Sequence, residues 1–473
     1  MQSDEERSVA THDESRTPAG LWTALGTAAL LATWVQYFLI HQRVAWGVAL
    51  IAVTAATGAL AYLRRGGWTS RTILALAGVG VVVELLWMIS SWYPAFVLAE
   101  FAAVALAFTC FSQAWRSRRR GRTTGGRTLA RGVVRGGAGV LVIVAALTSA
   151  VVLVTAVSPA PLATLAVQGP SGASNSFDPP APTQTREVDG VQLTNDIQYG
   201  TTYPNSYLDV YIADADPTVS RPTFVVVHGG GFILGDKSGG DPNAAEGGDT
   251  IALGNGPVLD AGYNVVSIGY ALAPQYEYPT PVVQLGQALA FLQDNGQRYG
   301  LDMSRVVLSG GSAGGSVVGQ YAAIETNPAY AEQMDIEPAL ADGALQALVL
   351  DSALIDPTRG DQTQTPTAVT DWLFNLASRS YFGMDQADLE EANILDHVTA
   401  DFPPTFIADG NTGTFPDQAR DLADELDRLG VENEAFLPTR EQAVLGHGFM
   451  AADSRWTDEY NRLKVDFLAD ALA

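Results

Sequence analysis

The chain reads as an all-helical membrane region followed by an α/β domain with a mostly parallel sheet. Three observations predict this. Five apolar runs, roughly 20–40, 44–63, 72–90, 94–114 and 137–157, follow one another with short connectors. The charge changes sign between the halves: residues 1–157 carry 14 arginines and 7 acids, net +7, and residues 158–473 carry 13 basic and 44 acidic residues, net −31. From residue 186 onward, short β-branched runs alternate with helical periodicity, the pattern of a parallel sheet with helices on both faces.

Each apolar run is long enough to span. A helix rises ~1.5 Å per residue, so ~20 residues cross a ~30 Å hydrocarbon layer. Only Glu84 and Glu100 put charge inside the runs. They admit a proton or ion site, but with no basic partner in the spans a helix–helix hydrogen bond is the plainer reading. Residues 1–19 are acidic and polar, which argues against a signal peptide and for a cytoplasmic tail. Arg64, Arg65 and Arg71 follow the second run. Arg116, Arg118, Arg119, Arg120, Arg122, Arg127, Arg131 and Arg135 follow the fourth. Positive loops stay cytoplasmic, so five spans over 20–157 leave the rest of the chain outside a multi-pass cell membrane. Residues 158–185, rich in Pro, Ala, Ser, Gly and Thr, read as an extended linker to a domain at 186–473.

Composition removes several functions. A net charge of −24 excludes nucleic-acid binding through a basic surface. One cysteine, Cys110, excludes an intrachain disulfide and a cysteine-based zinc site. No motif calls for a metal or cofactor. The sequence leaves the oligomeric state open.

In the second half, strands are expected at 207–213, 223–228, 264–270, 305–309, 345–351, 404–409 and 433–437. Helices are expected at 280–299, 313–325, 416–429 and 456–472. Chemistry concentrates at three junctions. Gly310, Ser312 and Gly314 form G-x-S-x-G between a strand and a helix. Such a turn lifts a serine hydroxyl above the sheet, and small neighbours avoid clashes. The same turn aims the N–H of Ala313 at a bound carbonyl. His228-Gly229-Gly230-Gly231 ends the strand at 223–228, and consecutive glycines let N–H groups point into a cavity and hold an oxyanion. No G-K-[ST] follows, so a P-loop is excluded. Gly446-His447-Gly448 lies before the final helix. Among His12, His41, His228, His397 and His447, only His447 has the chain position of a general base to Ser312; His228 reads as shaping its loop.

Together these residues resemble the α/β-hydrolase fold. More narrowly they are similar to the H-G-G-G carboxylesterases, the hormone-sensitive-lipase-like and feruloyl-esterase-like group. Gly235-Asp236-Lys237, Tyr270-Ala271-Leu272-Ala273-Pro274, Tyr299-Gly300-Leu301-Asp302 and Phe402-Pro403-Pro404-Thr405 extend the likeness over about 186–473. The resemblance implies Ser312 as nucleophile, His447 as base, and the N–H groups of Gly230, Gly231 and Ala313 as oxyanion hole.

The acid departs from the family pattern. Gly413 stands where the family has the aspartate that orients the histidine. Asp417, four residues on, ranks first as replacement, followed by Asp351 and Asp409 at strand ends; the remaining alternative uses no acid. Residues 357–400 are expected to cap the acyl pocket, with Trp372, Leu373, Phe374, Tyr381 and Phe382 lining it or packing the loop. The leading expectation is an exported, membrane-anchored serine esterase acting on a small-molecule or lipid ester. The alternatives are an envelope acyltransferase with the same nucleophile and a non-catalytic binding or sensor domain.

Overall fold

The computed structural model describes residues 19–64, 68–120, 129–179, 182–188, 190–212, 219–238, 255–365 and 370–473. Of the tail expected at 1–19, all but the last residue lies outside these. Arg65, Arg122 and Arg127 lie outside them as well, as do the side chains of Arg118, Arg119, Arg120, Arg131 and Arg135. The chain divides into two compact units, Met1–Ser158 and Pro159–Ala473.

The first unit holds helices α1 (Ala19–Phe38), α2 (Arg43–Leu63), α3 (Trp68–Ser90), α4 (Tyr93–Arg120) and α5 (Leu129–Val157). Among the described residues, four stretches are long and apolar enough to cross a membrane: Arg43–Leu63, Trp68–Ser90, Tyr93–Ser117 and Val140–Val157. Five spans were expected. Helix α1 has the length but not the hydropathy, because Thr23, Thr27, Thr33 and Gln36 dilute it. Two polar side chains near its C-terminal end, Gln36 and Tyr37, bond other helices. Gln36 Nε2 donates to Glu84 Oε1 of α3 at 2.5 Å, and the Tyr37 hydroxyl donates to Thr155 of α5 at 2.7 Å. Glu84 thus makes the interhelical bond expected of it, while Glu100 is buried on α4 with neither carboxylate oxygen hydrogen-bonded. Ile89, Leu141 and Val82 are 82%, 71% and 65% exposed, an apolar exterior that water does not favour.

The second unit is built on one nine-stranded sheet. Its strands are β1 (Gln184–Val188), β2 (Val191–Gln198), β3 (Tyr207–Ile212), β4 (Pro222–Val227), β5 (Asn264–Ile268), β6 (Asp302–Gly311), β7 (Leu345–Asp351), β8 (Thr405–Ala408) and β9 (Asn433–Phe436). The spatial order is β1-β2-β3-β5-β4-β6-β7-β8-β9. β1, β2 and β3 run antiparallel, and every pair from β5 to β9 is parallel. The sequence shows no signal for β1 and β2, whose polar residues suit a hairpin at an edge.

Alternate side chains on each strand point to opposite faces, so the sheet carries two cores. Val225, Leu308 and Leu348 join Leu285 of α6 (Thr280–Asn295), Val317 of α7 (Ala313–Thr326) and Leu422 of α9 (Pro416–Leu429). Phe224, Val307, Val349 and Phe406 join Tyr460 and Leu468 of α10 (Arg455–Ala471) on the other face. A further helix, α8 (Thr370–Phe382), lies in the segment between β7 and β8. Parallel pairing brings the carboxyl ends of β4, β6, β7 and β8 to one rim, the usual place for a site in such a sheet.

The stretch expected as an extended linker is neither extended nor separate. Ala160–Leu162, Ala163–Gln168 and Gly169–Ser171 are helical. The buried Gln168 amide donates to the carbonyls of Ile233 and Ala273 at 3.1 and 2.7 Å, and Asn175 donates to Leu272 O at 2.8 Å. Gln168 thus serves two carbonyls for which no other donor is found among the described residues, and Asn175 adds a second donor to Leu272 O, which also accepts from Tyr276 N–H at 3.3 Å. A chain starting at Pro159 should therefore be more stable to urea than one starting at Arg186. The expected difference is a few kcal/mol, at ~1–3 per orphaned group. Equal midpoints would show that the segment contributes nothing.

Candidate active site

Ser312 sits between β6 and α7 with φ +54° and ψ −119°, a combination that L-residues rarely adopt. The turn is held by its neighbours. Ser312 N–H donates to Asp351 O at 2.7 Å, and Ser316 N–H donates to Ser312 O at 3.1 Å. The glycines are a steric need: a Cβ on Gly314 would lie 2.1 Å from Val227 O, and one on Gly310 would lie 2.3 Å from Gly314 O.

The Gly229–Gly231 loop leaves β4 beside this turn. A Cβ on Gly229 would meet Gly311 O at 2.8 Å, and Gly230 and Gly231 have φ of +108° and +61°. Among the described residues no acceptor takes the N–H of Gly230, Gly231 or Ala313. His228 does not face Ser312. Its ring stacks on Tyr270 at 4.0 Å, and Nδ1 lies 2.8 Å from Gly229 O; burial lowers its pKa. His397 likewise stacks on Tyr330, 3.7 Å away, with Nε2 at 2.9 Å from Glu391 O.

His447 Nε2 lies 2.8 Å from Ser312 Oγ. Ring edges of Phe374 and Phe415 approach the imidazole with centroids at 4.9 and 6.2 Å. Burial lowers the His447 pKa to about 4, so the ring is neutral and able to accept a proton over most of the pH range.

Asp417, ranked first as the acid from sequence, is not at the histidine. It lies in the first turn of α9, and its carboxylate turns to Arg359 at 3.5 Å, a guanidinium that also holds Asp356 and Asp421. Four residues past Gly413 is already inside the helix, and the helix face directs the side chain away. Asp351 is engaged by the Tyr460 hydroxyl at 2.6 Å and by the charge of Lys464. Asp409 is the aspartate connected to the base, through one intermediary. Thr414 Oγ1 lies 2.9 Å from His447 Nδ1 and donates to Asp409 Oδ1 at 2.6 Å. Asp409 is almost wholly buried. It also accepts from the N–H groups of Gly410 at 2.7 Å and Phe415 at 2.9 Å. Thr414 escaped the sequence reading; the available signal was a hydroxyl residue directly after the glycine that replaces the expected aspartate. Gly413 itself has φ +61°, and a Cβ there would meet Thr370 Cγ2 at 3.1 Å.

The segment expected as a cap does two jobs. Phe374 lies against the base, with Leu373 exposed beside it. Tyr381 stacks on Phe232 at 4.0 Å and Phe382 packs edge-on to the same ring, so these two anchor α8 to the glycine loop.

Residues 224–451 match a sequence family described by its alpha/beta hydrolase fold. A putative alpha/beta hydrolase of Acanthamoeba polyphaga mimivirus is 22% identical over 59% of this chain and 78% of its own length. A probable carboxylic ester hydrolase of Mycobacterium tuberculosis is 26% identical over 52% of this chain and 55% of its own. Arylacetamide deacetylase of Rattus norvegicus is 33% identical over 41% and 46%. The chain spans about half the length of the latter two. Esterase B of Lactobacillus rhamnosis superposes with a TM-score of 0.51 at 21% identity, covering 61% of this chain and 88% of that one, a likeness of fold. The second unit has the α/β-hydrolase fold.

Proposed function

We propose that the protein is a membrane-anchored carboxylic-ester hydrolase that works through an acyl-enzyme on Ser312. The 2.8 Å contact between Ser312 Oγ and His447 Nε2, on a turn whose backbone is strained to present the hydroxyl, carries this reading. His447 Nε2 takes the hydroxyl proton as Oγ attacks the ester carbonyl carbon. The carbonyl oxygen becomes an oxyanion facing the N–H groups of Gly230, Gly231 and Ala313. Each donor of this kind contributes ~3–4 kcal/mol to the transition state. Collapse breaks the ester C–O bond, and His447 gives its proton to the leaving alcohol. Water then attacks the acyl-enzyme, again losing a proton to His447; the bond between the acyl carbon and Ser312 Oγ breaks, His447 returns the proton to Oγ, and the acid leaves.

The relatives' names support an ester substrate. Phe374 beside the imidazole supports an apolar acyl or alkyl group at the reacting carbonyl. The arginine-rich connector between α4 and α5 supports a cytoplasmic position for that loop, and α5 then carries the hydrolase unit outward whether or not α1 spans.

Full-length protein in detergent should be labelled by a fluorophosphonate and should turn over p-nitrophenyl esters. Ser312→Ala should abolish labelling and lower turnover by several orders of magnitude. Ser309→Ala and Ser316→Ala should keep both, since those hydroxyls are buried away from the turn. Labelling that survives Ser312→Ala removes the assignment. For topology, a reporter fused after Ala473 should behave as exported and one inserted near residue 125 as cytoplasmic. The reverse pattern overturns the orientation.

A further inference from the structure

We propose that Thr414 is a positioning residue whose hydroxyl transmits the Asp409 carboxylate to His447, giving a four-member chain Ser312–His447–Thr414–Asp409. The proposal rests on the serine-esterase reading above for its catalytic meaning, but its geometry stands alone. Thr414 is fully buried, and its Oγ1 has one proton to give and lone pairs to receive. With Asp409 ionised, that proton goes to Oδ1 at 2.6 Å, so the 2.9 Å contact with His447 requires Nδ1–H to donate to Oγ1. The imidazole is thereby fixed in the tautomer whose Nε2 lone pair faces Ser312 at 2.8 Å. A direct histidine–aspartate contact would do the same with one bond.

The relay adds a property that direct contact lacks. If Asp409 is protonated, its O–H can donate to Thr414 Oγ1. The threonine hydroxyl then rotates and donates to His447 Nδ1. The histidine proton must move to Nε2, and the lone pair that accepts the serine proton is gone. No bond to carbon is made or broken; the proton taken up by Asp409 reverses the direction of all three hydrogen bonds in the chain. Burial raises the Asp409 pKa to about 6, above the value of about 4 for His447, so the reversal occurs while the histidine is still neutral.

The groups facing each member leave no competing titration among the described residues. Around Asp409 are the Thr414 and Ser352 hydroxyls and the N–H groups of Gly410 and Phe415. Around His447 are Ser312, Thr414 and the rings of Phe374 and Phe415. On β7, Asp351 turns to Tyr460 and Lys464.

The test uses the full chain in detergent with ¹⁵N-labelled histidine; five histidines keep the spectrum tractable. At neutral pH His447 should carry its proton on Nδ1 and should cross to the Nε2–H tautomer with a midpoint near 6, the Asp409 value. Thr414→Ser, which keeps the hydroxyl, should retain both features. Thr414→Val, nearly isosteric, should abolish the midpoint and the fixed tautomer. The rate of phosphonate labelling at Ser312 should follow the same midpoint in the wild type. It should fall in Thr414→Val and Asp409→Asn by between ~10-fold and the ~10⁴-fold cost of losing a triad acid. A Thr414 that only fills space would change the rate and leave the midpoint in place. An Nε2–H tautomer at neutral pH in the wild type, or a midpoint near 6 that survives Thr414→Val in a folded protein, overturns the proposal. If the wild type neither cleaves esters nor takes the label, the esterase reading fails, and the tautomer titration still decides the relay.

Discussion

The active centre depends on how closely β4 and α7 approach each other at Ser312. The Gly314 position has no room for a side chain, with the Val227 carbonyl 2.1 Å from where a Cβ would lie. That approach drives the first turn of α7 against the end of β4. The parallel ladder of β4 with β6, which sets Val227 opposite Gly310, holds it there. Two consequences follow. The serine takes a backbone conformation that costs on the order of 1–3 kcal/mol, sustained by the sheet on both sides. The glycine loop continuing from β4 must fold over the turn, which puts Gly229 against Gly311 and brings two sets of N–H donors to one place. The Ser312 hydroxyl and the N–H groups proposed to hold the oxyanion are therefore positioned by one packing contact.

The base reaches the same point from the β8–β9 side of the sheet, half-buried against two aromatic rings. Phe374 and Phe415 shield the imidazole, and desolvation keeps it neutral. Neutrality is required to accept a proton, but the imidazolium formed in the transition state must be tolerated in the same apolar setting. A negative charge nearby is the economical answer. The helix α8 that supplies Phe374 is tied down by Tyr381 and Phe382 on Phe232, so the ring beside the base and the glycine loop belong to one packed unit.

How much of this could be read from residues differs by kind of interaction. The parallel core strands are apolar runs, and β4, β5, β7, β8 and β9 match their expected positions within two residues, as does the antiparallel β3, whereas β6 begins three residues earlier, at Asp302. The serine turn, the glycine loop and His447 carry local patterns that sterics alone enforce. The β1–β2 hairpin was invisible because an exposed edge needs no hydrophobic signature. The helical segment at 160–171 was invisible because its role, capping the carbonyls of Ile233 and Ala273 with Gln168, is made more than 60 residues away in sequence. Helix α1 reads as a span by length, yet its threonines and Gln36 lower its hydropathy, and Gln36 bonds Glu84 of α3. Asp417 stands away from His447 for a related reason. Spacing along the chain pointed to Asp417, while hydrogen-bond direction in space points through Thr414 to Asp409.

Asp409 also shows why a hydroxyl between acid and base can suffice. Its carboxylate ends β8 at the entrance to α9 and accepts the N–H groups of Gly410 and Phe415, the latter at the helix N-cap. Backbone donors and the positive end of the helix dipole hold a charge that burial alone would neutralise. Burial outweighs the hydrogen bonds from Thr414, Ser352, Gly410 and Phe415, which raises the pKa to about 6: an anion at neutral pH, close to protonation. At neutral pH a neutral histidine therefore faces an anion across one polarisable O–H. When Ser312 yields its proton, the imidazolium gains that anion's field through Thr414, and no carboxylate has to enter the crowded position at Gly413. The left-handed backbone at Gly413 and the Thr370 methyl against it would oppose a side chain there. A glycine at 413 is then compatible with the proposed catalysis, in which the charge comes from the strand end and its direction from the threonine.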